Sequence, residues 1–579
     1  MSLLHTYPGG VWAMDFEFHP QRGMEGNPIL PVCMVAHNIV TNQAIRIWQD
    51  ELLTLKNAPF PTNSSAIAIA YYASAEIGCF IALGWPIPVN VLDLYTEFRC
   101  CTNGIPPISG NGLIGAMTHF GIPHIDSDEK TAMRDLILSQ GPWSKTERND
   151  ILDYCESDVI ALGKLLAVME PHIDMPRALL RGEYMAAAAK MESTGIPIDL
   201  TILVKIKDRW ESIQDELIAL FDKNFGVYEG RSFKSARWEN YLVTAGIPWL
   251  RLPSGALDMS DDTFREMSRS YPQIAPIQEL RYSLSKMRLA TLTVGEDGRN
   301  RYMLSAFRSK TGRNQPSNSK SIFGPATWMR GLIKPAKGFG IAYVDWSQQE
   351  FGIAAALSND LNMKKAYASG DPYLAFAIQS GAVPPDATKK SHKAEREQFK
   401  ACVLAVQYGM GPANLALRIN QPVARARQLL DLHRTAYRTF WKWSDNCLNE
   451  AVLGGKLWTN FGWQIQVNDK LNDRSLRNFP MQAHGAEMLR IACILLNRAG
   501  IKICAPIHDA ILIEAPIEEL DFVIEQTQQL MREASRIVLW DFELESDVKV
   551  VTYPQRYMDD RGLTMWNTVM ELIGENKHE

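Results

Sequence analysis

The hydrophobic pattern of this chain changes rhythm several times. Near the N-terminus, "GVWAMDFEF" (10–18), "LPVCMVAHNIV" (30–40) and "SSAIAIAYYA" (64–73) read as strands, the first two as a pair. "SKTERNDILDYCESDVIALGKLLAVME" (144–170) carries an apolar stripe at helical spacing. Strands with interleaved helices make an α/β unit, and the prolines of "PHIDMPRALLRG" put its boundary near 172. "EYMAAAAKMESTGIPIDL" predicts a helix stopped at Gly195 and Pro197, followed by polar-faced helices from about 200 to 290. Helices dominate again from 350 to 455, and "RNFPMQAHGAEMLRIACILLNRAG" (477–500) is a further long one. "IKICAPIHDAILIEAP" (501–516) predicts two strands meeting at a tight turn, with His508 and Asp509 at the tip.

Composition adds bounds. A chain of 579 residues with 46% hydrophobic content suits two or more domains with real cores. The net charge of −5 neither demands nor forbids a polyanionic partner, because a basic groove can sit on an acidic protein. The nine cysteines show no C-x-x-C pair, which favours a reduced cytosolic chain over a zinc protein. No secretion signal and no membrane-spanning stretch are expected. Residues 301–337 hold many Lys and Arg and no acid, which reads either as a solvated basic loop or as a phosphate-binding surface.

Two sets of residues carry chemistry. Asp15 and Glu17 share one face of an otherwise apolar strand. Such a pair is either an exposed edge or a site for a divalent cation held by oxygens. Tyr154 and Asp158 share a helical face, and Glu76 lies between these segments in the sequence. Asp93, in "NVLDLY", is a reserve acid better suited to a cap. In the second set, Asp345 ends the apolar run "IAYV" and Asp509 ends another apolar strand. Two carboxylates at neighbouring strand tips suit a two-metal site. Between them in sequence, "REQFKACVLAVQYGMG" sets Arg396, Lys400, Leu404 and Tyr408 at steps of four along one slowly turning face. The cations suit a triphosphate and the aromatic suits a base; a basic surface helix is the plainer alternative.

The first set resembles the DEDD family of 3′–5′ proofreading exonucleases, in which two metals held by acids cut a terminal phosphodiester and a Tyr positions the water. The middle motif departs from that pattern: its acid is Glu76, and Tyr72 stands where an Asn is usual. The second set resembles motifs A, B and C of family A DNA polymerases, the DNA polymerase I type. "VDWSQQE", "RxxxKxxxxxxxYG" and "PIHDAILIE" carry the likeness, in order with "MESTGIPID", "TGR" and "RSLRNFPMQAHGAE".

That resemblance implies an α/β and α+β architecture. An RNase H-like exonuclease domain would occupy 1–172 and a right-hand polymerase domain 173–579, with the thumb at about 200–300, fingers at about 356–440 and palm in the remainder. It also implies roles. Asp345 and Asp509 would hold two Mg²⁺ ions, while Asp15, Glu17, Glu76 and Asp158 would hold two more beside Tyr154; Mn²⁺ can substitute. Arg396 and Lys400 would clamp the dNTP phosphates, with Lys400 as a general acid. Tyr408 would stack at the nascent base pair, and Glu350 would exclude a 2′-hydroxyl. Arg313, Arg474, Asn478, Gln482 and His508 would contact the primer–template.

Three polymerase positions depart from the pattern. Leu404 stands where an aromatic is usual, Tyr373 where many members have His, and Ala510 where many have Glu. These departures point to a phage-encoded branch, with genome replication in the host cytoplasm as the role. A preference for a modified nucleotide such as 2-aminoadenine is compatible with it. The chain is expected to be a monomer that binds primer–template DNA and dNTPs and no membrane; a helicase or processivity factor is left unassigned. Rival readings are a single-subunit RNA polymerase-like enzyme, a non-catalytic DNA-binding relative, or a nuclease alone.

Overall fold

The computed structural model describes residues 6–123, 127–286, 291–324, 326–407, 409–468 and 471–574. The N-terminal strands form a five-stranded sheet: β1 (Gly10–Pro20), β2 (Ile29–Asn38), β3 (Ala44–Trp48), β4 (Ala66–Ala70) and β5 (Val91–Asp93). Their order is β3-β2-β1-β4-β5, with β1–β2–β3 antiparallel and β1–β4–β5 parallel. This is the RNase H-like arrangement the sequence reading expected. The alternating rule explains its two cores. Trp12, Met14 and Phe16 pack on one face of β1, against the helix α1 (Ser74–Leu83), while Val11 and Ala13 pack on the other. That second face carries Asp15 and is covered by α4 (Lys145–Met169), which starts at a capping box in which Ser144 and Glu147 satisfy each other's backbone N–H. Further helices beside the sheet include α2 (Leu94–Thr102) and α3 (Ser127–Leu138).

The helix predicted after the boundary is α5 (Met175–Thr194), and it packs against both halves of the chain. Gly182 makes this possible, since a Cβ there would lie 1.8 Å from the Val91 carbonyl oxygen. Arg181 on α5 makes a two-pronged, fully buried ion pair with Glu97 on α2, at 2.6 and 2.7 Å. The 200–290 region is helical, with Leu200–Asp208, Trp210–Phe221, Ser235–Ala245, Asp261–Ser270 and Ala275–Lys286 around a Trp238–Phe264 core.

The C-terminal half is built on a four-stranded antiparallel sheet of β6 (Phe339–Trp346), β7 (Ile503–Ile507), β8 (Ala510–Pro516) and β9 (Ser546–Thr552), in the order β7-β8-β6-β9. One face buries Ala342, Val344 and Trp346 against α6 (Gln349–Ser358), α8 (Asp473–Arg498) and α9 (Leu520–Val538). The opposite face buries Ile341 and Leu512 at one end and opens toward Asp345 at the other. The helix with the four-residue cationic steps is α7 (Lys393–Gln407). Tyr408 follows it and lies outside the described residues. Among the described residues, no helix is long and apolar enough to cross a membrane.

Candidate active sites

The N-terminal acids converge in one pocket. Asp15 and Glu17 project from β1 toward α4, where the Cys155 thiol donates to the Asp15 carboxylate at 3.4 Å. The ligand atoms of Asp15, Glu17 and Cys155 all lie within 4.8 Å of one another. Glu76, in the first turn of α1, is buried and accepts the Phe16 N–H at 2.8 Å. On α4, Asp158 accepts the Lys130 ammonium at 2.6 Å, and that ammonium also lies 5.6 Å from the centroid of the Tyr154 ring. Asp93 stands apart. It caps α2 and accepts from Tyr72 and Tyr95 N–H and the Thr96 hydroxyl.

Burial together with mutual repulsion makes this pocket reluctant to hold bare negative charge. Asp15 is pushed up to about 8, by burial first and then by Asp158, and Lys130 offsets part of the rise. Glu17 is raised well above the carboxylate range by burial and by Asp15, and Glu76 likewise. Burial also raises the Cys155 thiol, so it is no thiolate and the oxygens are the donors on offer. Half-buried and buried acids that repel one another and present oxygens fit a hard divalent cation. Cys155 and Lys130 were not singled out from sequence. Cys155 follows Tyr154 directly, which was a readable signal; the reach of Lys130 from α3 was not.

The second site forms at the open end of the C-terminal sheet. Trp346 N–H donates to the Asp509 carbonyl at 3.4 Å, which ties the β7–β8 turn to the end of β6. His508 takes a left-handed φ of 57° to close that turn, and its side chain is exposed. The Asp345 Oδ1 is buried with no hydrogen-bond partner. The Asp345 carboxyl is pushed up to about 7 by burial first, then by Asp509 and by Asp547 on β9. An orphaned carboxylate oxygen facing further acids fits a bound Mg²⁺ pair.

Around these acids, Glu350 sits in the first turn of α6, with Arg313 3.7 Å away. Arg313 belongs to a loop fixed from below. Arg490 donates to the Gly312 carbonyl at 2.7 Å, and a Cβ on Gly312 would meet Trp463 at 3.1 Å. On α7, Arg396 is buried and paired to Asp371 at 2.5 Å and Glu397 at 2.7 Å. The Tyr373 ring lies 5.5 Å from the Arg396 guanidinium and 5.8 Å from the Lys400 ammonium. Among the described residues, Lys400 has no carboxylate partner, so unlike Arg396 it is open to a phosphate. Leu404 follows one turn later on the same face. Arg474, Asn478 and Gln482 line successive turns of α8, with Arg474 exposed and its Cγ 2.6 Å from where a Cβ on Gly409 would sit.

The acid-free run 301–337 is less open than its composition suggested. Arg301 pairs with Asp297 at 2.6 Å, Lys320 with Glu25 at 2.8 Å, Arg330 with Asp559 at 2.7 Å and Lys334 with Asp199 at 3.5 Å. A run with no acids of its own recruits them from elsewhere in the chain, so several of its cations are already paired with carboxylates.

Residues 319–553 match the model of "DNA polymerase family A". The chain is 23% identical over 481 residues to DNA polymerase I of Aquifex aeolicus, covering 75% of this chain and 80% of that protein. It is 22% identical over 382 residues to the thermostable DNA polymerase I of Thermus thermophilus, but covers only 44% of that longer protein. The DNA polymerase of Mycobacterium phage D29 is 22% identical over 415 residues, covering 69% of this chain and 67% of that one. In fold, the chain resembles the POL domain of Pol1 from M. smegmatis, solved with DNA primer–template and dNTP, at a TM-score of 0.68 and 16% identity over 95% of this chain.

Proposed function

We propose that this chain, whose residues 319–553 match DNA polymerase family A, is a template-directed DNA polymerase with a 3′–5′ exonuclease in its N-terminal unit. The carrying observation is the meeting of Asp345 and Asp509, from segments more than 160 residues apart, at one end of one sheet. Asp345 and Asp509 would hold two Mg²⁺ ions, which when bound lower the pKa of the primer 3′-hydroxyl and stabilise the leaving pyrophosphate. Lys400 binds the incoming triphosphate and is the proton donor to pyrophosphate. Arg396, anchored by Asp371 and Glu397, supports the Tyr373 ring beside Lys400 and adds positive potential. Glu350 lies beneath the incoming sugar and disfavours a 2′-hydroxyl. Arg313, Arg474, Asn478, Gln482 and His508 hold the primer–template.

In the N-terminal pocket, Asp15, Glu17, Glu76 and Asp158 would hold the same kind of ion, and Tyr154 orients the attacking water. The crowded acids, buried at Glu76 and half-buried at Asp15 and Glu17 and raised in pKa, support that reading because they need a cation to ionise together. The likeness to the Mycobacterium phage D29 polymerase supports a role in phage genome replication. Primer extension with a panel of natural and modified dNTPs and with rNTPs tests the assignment. Efficient dNTP use is expected; robust extension with rNTPs in their place contradicts it. Asp15→Ala should abolish 3′ degradation and spare synthesis, and unchanged degradation would remove the exonuclease from this pocket.

A further inference from the structure

Asp345 sits in the middle of a cross-strand row. The β6–β8 register sets it opposite Ala510, and the β6–β9 register sets it opposite Asp547. Residues directly opposite in antiparallel strands put their side chains on the same face, with Cβ atoms roughly 4.5–5.5 Å apart. Asp547 therefore shares the face of Asp345 at the open end of the sheet, while Ala510, fully buried, offers no ligand on the other side. Like charges in opposed positions destabilise a sheet unless something cationic sits between them. Among the described residues, no Lys, Arg or His is ion-paired with Asp345, Asp509 or Asp547. The Ser347 hydroxyl donates to Asp547 Oδ2 at 2.7 Å, which fixes that carboxylate at the strand end. The unpartnered, buried Oδ1 of Asp345 is a second observation that suits this face to a cation.

We propose that Asp547 is a third carboxylate of the palm metal site, supplied by β9 across from Asp345. The inference rests on the polymerase reading and adds a ligand that the sequence motifs do not contain. It gives β9 a chemical role: the strand supplies an acid on one side of Asp345, while β8 presents only Ala510 on the other.

The test is Mn²⁺ binding followed by electron paramagnetic resonance. It uses the full chain carrying Asp15→Ala and Asp158→Ala, so that the palm ions dominate, with primer–template present. Asp547→Asn is expected to weaken palm Mn²⁺ binding by about tenfold, the scale of losing a supporting metal-site group. The Mg²⁺ concentration for half-maximal incorporation should rise in parallel. Adding Ala510→Glu to Asp547→Asn should restore binding, because the acid returns from the other neighbour of Asp345. A purely structural role for Asp547 predicts no such rescue. Asp345→Asn is the control. If it weakens binding and Asp547→Asn does not, the third-ligand assignment is overturned and the two-aspartate reading stands. If neither changes binding, the two-aspartate reading fails and this inference with it. Should Asp547→Asn misfold by circular dichroism, Asp547→Glu decides, since it keeps the charge and should retain binding.

Discussion

Replacing Asp15 by Asn should stabilise the metal-free protein at alkaline pH, and the size of the effect follows from the pocket. An ordinary Asp titrates near 3.8, whereas burial and Asp158 push folded Asp15 up to about 8. Between those values the unfolded chain has lost the proton and the folded chain keeps it. Stability therefore falls as pH rises through this window, by up to about 1.4 kcal/mol per pH unit. From pH 6 to pH 8 the loss is about 2 kcal/mol, because the slope flattens as folded Asp15 itself ionises near 8. Asp15→Asn removes this titration. Urea unfolding in EDTA at pH 6 and pH 8 should thus show the parent losing about 2 kcal/mol more than the variant. Added Mg²⁺ should cancel the parent's loss, since it binds the ionised acids. Equal losses for the two proteins, within about 0.5 kcal/mol, would refute the crowded-carboxylate account of this pocket.

Two other perturbations reach different parts of the molecule. Arg181→Met strands a buried Glu97 carboxylate between α2 and α5 and should cost about 3–5 kcal/mol, read as a drop in urea midpoint; Glu97→Gln added to it should recover part of that loss. Glu350→Ala should raise rNTP use relative to dNTP use by on the order of tenfold in single-nucleotide incorporation, with dNTP binding little changed.

Much of the scaffold was legible before the fold was known. The strands of "GVWAMDFEF" and "LPVCMVAHNIV", the helix ending near Met169 and the His508–Asp509 turn all follow from period and turn chemistry, which are local. Asp345 was legible for the same reason, as an acid at the end of an apolar run. The rest depends on partners distant in sequence. Register alone puts Asp547 beside Asp345, and no local signal encodes a cross-strand register of 202 positions' separation. Lys130 reaches Asp158 from another helix. The cations of 301–337 looked free in sequence because their acids, Glu25, Asp199, Asp297 and Asp559, lie outside the run. The helix α5 likewise follows the boundary near 172 in sequence yet is shared by both halves in space, through Gly182 and Arg181.

The central claim is that Asp345 and Asp509 together hold the ions for nucleotide addition. Its most direct test is primer extension by Asp345→Ala and Asp509→Ala, alongside primer–template binding by fluorescence anisotropy. Both variants should bind DNA like the parent and fail to extend it. Normal extension by either variant would contradict the account.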